Sequence, residues 1–189
     1  RSGYDGIFLQ LDVHENPLYN PLLSQYIDTQ LFEFDPLQSA IYWGNKYDME
    51  IHCWINTYKI WSYKKRPSDN HMFNFLKLDY KSWFARDING FSDYKINFDL
   101  DNSYIDSWSG IFLSPLNDDV NEYIKNIVRK ILDNYSNLNG IHLDYLRYKD
   151  SMYGFNFVGC MEFYNSYGIN PISLSRGIVS KRFGWTNNS

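Results

Sequence analysis

Three short apolar runs, each bounded by Gly, Asn or charged residues, punctuate the chain: residues 4–12 (YDGIFLQLD), 49–56 (MEIHCWIN) and 138–147 (LNGIHLDYLR). Runs of this length, rich in β-formers and closed by polar residues, read as buried strands. Between the first two, Asp35 followed by Pro36 forms an N-cap and first-turn proline, and Leu37, Ala40, Ile41 and Gly44 make one apolar or small face. That pattern predicts a helix to about Tyr47. Between the second and third runs, Val120, Ile124, Ile127, Val128, Ile131, Leu132 and Tyr135 recur at helical spacing. Asp118, Asp119 and Glu122 precede Lys125, Arg129 and Lys130, the charge order that the helix dipole favours. A last helix is predicted over 157–167, with Phe163, Tyr164 and Tyr167 inward and Gly168 as its stop.

Strand, helix, strand, helix, strand is an α/β alternation with parallel pairing. Residues 57–118 break it: they are polar, weakly periodic and punctuated by Trp61, Phe73, Trp83 and Trp108, and connections of this length usually carry function. No repeat, low-complexity tract or linker divides the chain, and no pattern marks residues 175–189, so residues 1–189 read as one domain. Residue 1 is Arg inside a strand-like stretch rather than Met before a signal peptide, so the start looks cut.

Eighteen basic against 22 acidic residues, net −4, give no broad positive field for nucleic acid. No apolar run reaches the ~20 residues of a membrane span. Cys53 and Cys160 are too few and too far apart for a disulfide framework or metal knuckle. The 17 Tyr, 13 Phe and 6 Trp amount to 19% aromatics, which suits stacking on sugar rings but also follows from an AT-rich codon supply.

Ligands of parallel α/β sheets sit at the carboxyl ends of the strands. That rule selects Gln10 and Asp12 after the first strand, Trp54, Asn56 and Tyr58 after the second, and His142, Asp144 and Arg147 on the third. Alternation puts Gly140, His142 and Asp144 on one face and Ile141, Leu143 and Tyr145 on the other. An acidic group in a buried strand costs several kcal/mol unless paired, so Asp144 is either catalytic or half of an ion pair with Arg147. His142 reads as support rather than chemistry. No HExxH or CxxC spacing occurs, which disfavours a metal, and no GxSxG or GxxxxGK[ST] pattern occurs, which leaves serine hydrolases of that type and P-loop nucleotidases without support; no cofactor is expected.

The order YDGIFLQ, FDPLQSAIYWGNKYDMEIHCWIN, SWFARDINGFS, FLSPLNDDVNEYIKNIVRKIL and LNGIHLDYLRY resembles the glycosyl-hydrolase-like 10 family of bacterial TIM-barrel proteins. GIHLDYLRY (140–148) is its most specific piece and is similar to that family's DGIHLDYIRYP strand. EIHCWIN resembles its VHAWxN strand, and MEFYNSYGINP its F…YGxxP helix. Asn139 stands where the family usually has Asp, and Lys149 where it usually has Pro.

The resemblance implies a portion of a (β/α)8 barrel, about strands 2 to 4 with their helices, cut at both ends. It implies that Asp144 and Arg147 line the cleft with Trp54 and Asn56 near it. It also implies a glycoside hydrolase of exported location (periplasmic, cell-surface or secreted), acting on a polysaccharide such as bacterial cell-wall glycan. Asp144 is then the acid/base or nucleophile, its partner being Asp12 or a group in the missing half, since glycosidic cleavage normally needs two carboxyls. Arg147 holds Asp144 ionised or grips a substrate carboxylate or acetamido oxygen. Trp54, Tyr58, Trp61, Trp83 and Trp108 are candidate sugar platforms. The alternative is a noncatalytic carbohydrate-binding protein on the same scaffold.

Overall fold

A computed structural model describes residues 3–13, 16–17, 35–67, 69, 71–96, 98 and 109–177. Its strands are β1 (Gly6–Gln10), β2 (Asp12–Val13), β3 (Asn16–Pro17), β4 (Glu50–Asn56), β5 (Lys59–Trp61), β6 (Ile111–Phe112) and β7 (Gly140–Asp144). The helices are α1 (Pro36–Tyr47), α2 (Met72–Asp79), α3 (Asp118–Asn134), α4 (Phe157–Tyr167) and α5 (Pro171–Ser175). The predicted alternation is present: β1, β4 and β7 form a parallel sheet in that order. Among the described residues the strands close into no barrel; the fold is a mixed α/β arrangement around this small sheet.

One face of the sheet is the core. Ile51, Cys53 and Ile55 of β4, buried at alternate positions, pack with Leu11 just after β1, with Leu37 and Ile41 of α1, and with Ile131 and Tyr135 at the end of α3. Both helices therefore cover the same face. Helix α1 starts where Asp35 dictates: its Oδ1 accepts from the N–H groups of Leu37 (2.9 Å) and Gln38 (3.0 Å), satisfying two otherwise orphan donors. Its Oδ2 accepts from the Tyr135 hydroxyl at 2.6 Å and ties the start of α1 to the end of α3. Gly44 lets α1 lie close on β4, for a Cβ there would meet Ile51 Cγ1 at 2.4 Å.

The long segment after β4 is not an unstructured connection. β5 and β6 pair antiparallel, and Trp61, Phe73, Leu76, Phe84, Ile96, Ile111 and Leu113 bury together against Val120 and Ile124 of α3. Its two-to-three-residue strands and scattered aromatics have no period to detect, which hid this second core. Helix α3 serves both cores, the first turns on one and the last on the other. Leu132, expected inward, is 53% exposed because it lies about 100° around the helix from the buried Ile131, beyond the edge of the apolar stripe.

Helix α4 also departs from expectation. Gly159 is buried, with a Cβ position 2.5 Å from Leu116 Cβ, and Phe163 is half-buried one turn on. Tyr164, five residues past Gly159 and so about 140° around the helix, is exposed, as is Tyr167. Gly168 does end the helix, in the left-handed region at φ 67°. No helix among the described residues is long and apolar enough to cross a membrane.

Gly110 lies where the insertion between β4 and α3 brings the residue before β6 against β5. It has φ 101°, and a Cβ there would meet the Trp61 carbonyl oxygen at 2.2 Å and Lys59 Cε at 2.7 Å. Gly110→Ala is expected to lower unfolding free energy by about 1–3 kcal/mol, from the φ penalty alone, visible as a lower thermal midpoint.

Candidate functional site

The opposite face of the sheet has no helix of the described residues packed over it. Register follows from the parallel pairing: Phe8, His52 and Gly140 form one row, Gln10, Trp54 and His142 the next, and Asn56 with Asp144 the last, at the carboxyl end. The predicted alternation of β7 therefore holds, with His142 and Asp144 on this face and Ile141 turned to the core. The rings pack on one another. Phe8 stacks on His52 at 4.8 Å, and His142 stands edge-on to both Phe8 (5.5 Å) and Trp54 (5.4 Å).

Two polar atoms of this face are buried without a hydrogen-bond partner: Trp54 Nε1 and Asn56 Oδ1. Each such atom costs about 1–3 kcal/mol and calls for an explanation, a bound partner being one. They are a donor and an acceptor two residues apart on one strand, so both point to the same side.

Asp144 is half-buried at the strand end. Its Oδ1 accepts from the Tyr145 N–H at 2.7 Å, while no described residue hydrogen-bonds Oδ2. The strand stops here rather than at Arg147, because Tyr145 adopts φ 51°, a left-handed backbone that is strained for a bulky side chain. The Asp144 carbonyl accepts from Thr57 N–H at 2.8 Å, joining the strand end to the turn after β4.

The ion pair between Asp144 and Arg147, one of the two sequence readings, is not formed among the described residues. Arg147 is exposed and donates through Nη1 to the carbonyls of Tyr148 (3.4 Å) and Lys149 (3.2 Å). Tyr58 is drawn the other way: its hydroxyl donates to Asn121 of α3 at 2.8 Å, and burial, with Tyr148 nearby, raises its pKa. Gln10 is half-buried beside Trp54. Asp12 belongs to β2, with its side chain outside the described residues.

Of the candidate platforms, Trp61 is 3% exposed and donates to the Lys65 carbonyl, so it offers no face to a ligand. Trp83 lies against Tyr80 and Tyr123 (4.8 and 5.4 Å), and Trp108 lies outside the described residues. A cavity of about 580 Å³ elsewhere, lined by Lys77, Lys81, Tyr94 and Lys95 among others, includes none of the predicted site residues.

Three groups around the loop after β7 escaped the sequence reading. Lys59 of β5 reaches the Tyr145 hydroxyl at 3.4 Å and stands 4.4 Å from the centre of its ring. Asp93 and Lys149 form a buried ion pair at 2.7 Å, with side chains 0% and 6% exposed. Asp93 Oδ2 also accepts from Phe112 N–H, and the Lys149 ammonium lies 4.1 Å from the Tyr153 ring centre. The pair clamps the loop that follows Asp144 onto the insertion. Burial pushes the Asp93 carboxyl up to about 6 against the pull of Lys149, and pushes the Tyr153 hydroxyl well above its ordinary range. Only the departure from Pro at position 149 signalled anything there. No protein-family model matches the chain, and no curated protein matches it.

Proposed function

We propose that the protein is a glycoside hydrolase of the glycosyl-hydrolase-like 10 kind, built on part of a (β/α)8 barrel. The single supporting observation is Asp144: a carboxylate at the carboxyl end of a parallel strand, with Oδ1 fixed, Oδ2 not bonded by any described residue, and two unsatisfied buried atoms, Trp54 Nε1 and Asn56 Oδ1, on the neighbouring strand. Consecutive parallel strands with both crossover helices on one face are how an arc of a barrel is wound, and the other face is then the interior. A saccharide offers hydroxyls to the orphan donor and acceptor and flat C–H faces to Trp54. The proposal includes a polysaccharide substrate, bacterial cell-wall glycan among the candidates, and export from the cytoplasm. It is tested by incubating the protein with polysaccharides and following new reducing ends; the absence of cleavage of every glycan overturns it.

A noncatalytic carbohydrate-binding protein is the second reading, favoured by the count of carboxylates on the face. Among its described side chains the other carboxylate is Glu50, at the amino end of β4 and 3.0 Å from His52 Nε2. Six residues separate it from Asn56, the register partner of Asp144, which is roughly 20 Å of strand. The two carboxyls of a glycosidase stand only ~5 to 9.5 Å apart. Asp144 therefore needs a partner other than Glu50. Glycan binding without any release of reducing ends favours this second reading.

A further inference from the structure

At the mouth of the sheet two cations converge on one ring. Lys59 Nζ lies 4.4 Å from the centre of Tyr145 and 3.4 Å from its hydroxyl, and the Arg147 guanidinium carbon lies 5.3 Å from the same centre. Neither cation pairs with a carboxylate among the described residues, although acidic residues outnumber basic ones by 22 to 18 in the chain.

Their placement is built rather than loose. Gly110 opens the space for the Lys59 stem, since a Cβ there would meet Lys59 Cε at 2.7 Å. Tyr145 is itself fixed by its bond to Asp144 Oδ1, by an edge contact with Phe112 (6.0 Å) and by its left-handed backbone. An aromatic ring holds a cation through its quadrupole, and here Lys59 spends one N–H on the Tyr145 hydroxyl while Arg147 donates through Nη1 to the Tyr148 and Lys149 carbonyls. The remaining donors of this ammonium and guanidinium, gathered on the ring that directly follows a candidate catalytic carboxylate, are suited to an anion.

We propose that Lys59, Tyr145 and Arg147 form an anion subsite that selects a saccharide bearing a carboxylate beside the bond to be cleaved. This rests on the glycosidase reading and names the substrate class for it. Sulfate or phosphate esters offer the same charge, so the source of the anion is decided by matched ligands.

The test compares binding of a uronic-acid oligosaccharide, its carboxyl-reduced neutral counterpart and a sulfated neutral counterpart to the protein, by calorimetry at two salt concentrations. The uronic-acid ligand is expected to bind about tenfold tighter than the neutral one, with the margin shrinking at high salt. Lys59→Met is expected to remove most of that margin and leave neutral binding unchanged, while Lys59→Arg retains it. Arg147→Gln, on the exposed loop, repeats the test without disturbing a packed stem. Equal binding of acidic and neutral ligands, or equal weakening of both by the variants, overturns the subsite and leaves the glycosidase reading standing. A preference for the sulfated ligand overturns the carboxylate assignment. Binding of none of the three overturns the subsite along with the sugar reading.

Discussion

Lys149→Met is expected to cost about 3–5 kcal/mol of stability at neutral pH, because it leaves the Asp93 carboxylate fully buried with no cation beside it. Methionine is close to lysine in volume, so packing against Tyr153 is largely kept and the charge is what is lost. The remaining bond from Phe112 N–H cannot by itself hold a buried anion. Asp93→Asn is expected to be the milder change, since an amide oxygen still accepts from Phe112, burial already favours the uncharged acid at this position, and the Lys149 ammonium left behind keeps the Tyr153 ring at 4.1 Å. Denaturant unfolding of the two variants at pH 7.5 reads the asymmetry directly; equal losses would mean that burial does not outweigh Lys149.

The sign of the pH effect follows from the same imbalance. Asp93 titrates at about 6 in the folded protein against 3.8 for the free side chain, so the folded state holds its proton more tightly than the unfolded chain does. Its contribution to stability is thus least favourable above pH 6 and improves as pH falls through 6 towards 4, by on the order of 3 kcal/mol across the window. Acid destabilises most proteins through other groups, so the quantity to follow is the stability of the wild type minus that of Asp93→Asn. That difference is expected to rise as pH is lowered from 7 to 4. In Lys149→Met the carboxyl shifts further up, and the variant regains much of its deficit by pH 5. A deficit that does not change with pH would place the loss in packing rather than charge.

These groups show where a linear sequence stops being readable. The strands and helices around the sheet are set by local signals: Asp35 and Pro36 start α1, Gly168 ends α4, and apolar alternation marks β4. Alternation also gave the face of β7 on which Asp144 lies. The insertion gave no such signal. Its buried Trp61, Phe73 and Phe84 come from three separate short elements, and their common core exists only once the chain has folded back. Lys59 and Lys149 look in sequence like any surface lysine, since charge pairs 56 residues apart and cation–ring contacts 86 apart carry no local pattern. The orphan atoms of Trp54 and Asn56 are likewise invisible until the neighbours that fail to bond them are in place.

Asp144→Asn is expected to lower glycan cleavage about 10²–10⁴-fold, the range that a positioned acid or base contributes, while oligosaccharide binding stays within a few-fold of the wild type. The substitution is conservative for structure: the amide oxygen can still accept from Tyr145 N–H, which holds the strained turn. The thermal midpoint should therefore barely move, and a large fall in turnover cannot be ascribed to unfolding. Glu50→Gln, at the far end of the face and bonded to His52, serves as the control and is expected to leave cleavage intact. Asp12→Asn decides the partner. A loss comparable to that of Asp144→Asn, with binding kept, makes Asp12 the second carboxylate, whereas unchanged cleavage moves that role to a group outside the described residues. Turnover unaffected by Asp144→Asn would remove the one carboxylate that the described side chains of the sheet present at its carboxyl end, and with it the hydrolytic mechanism.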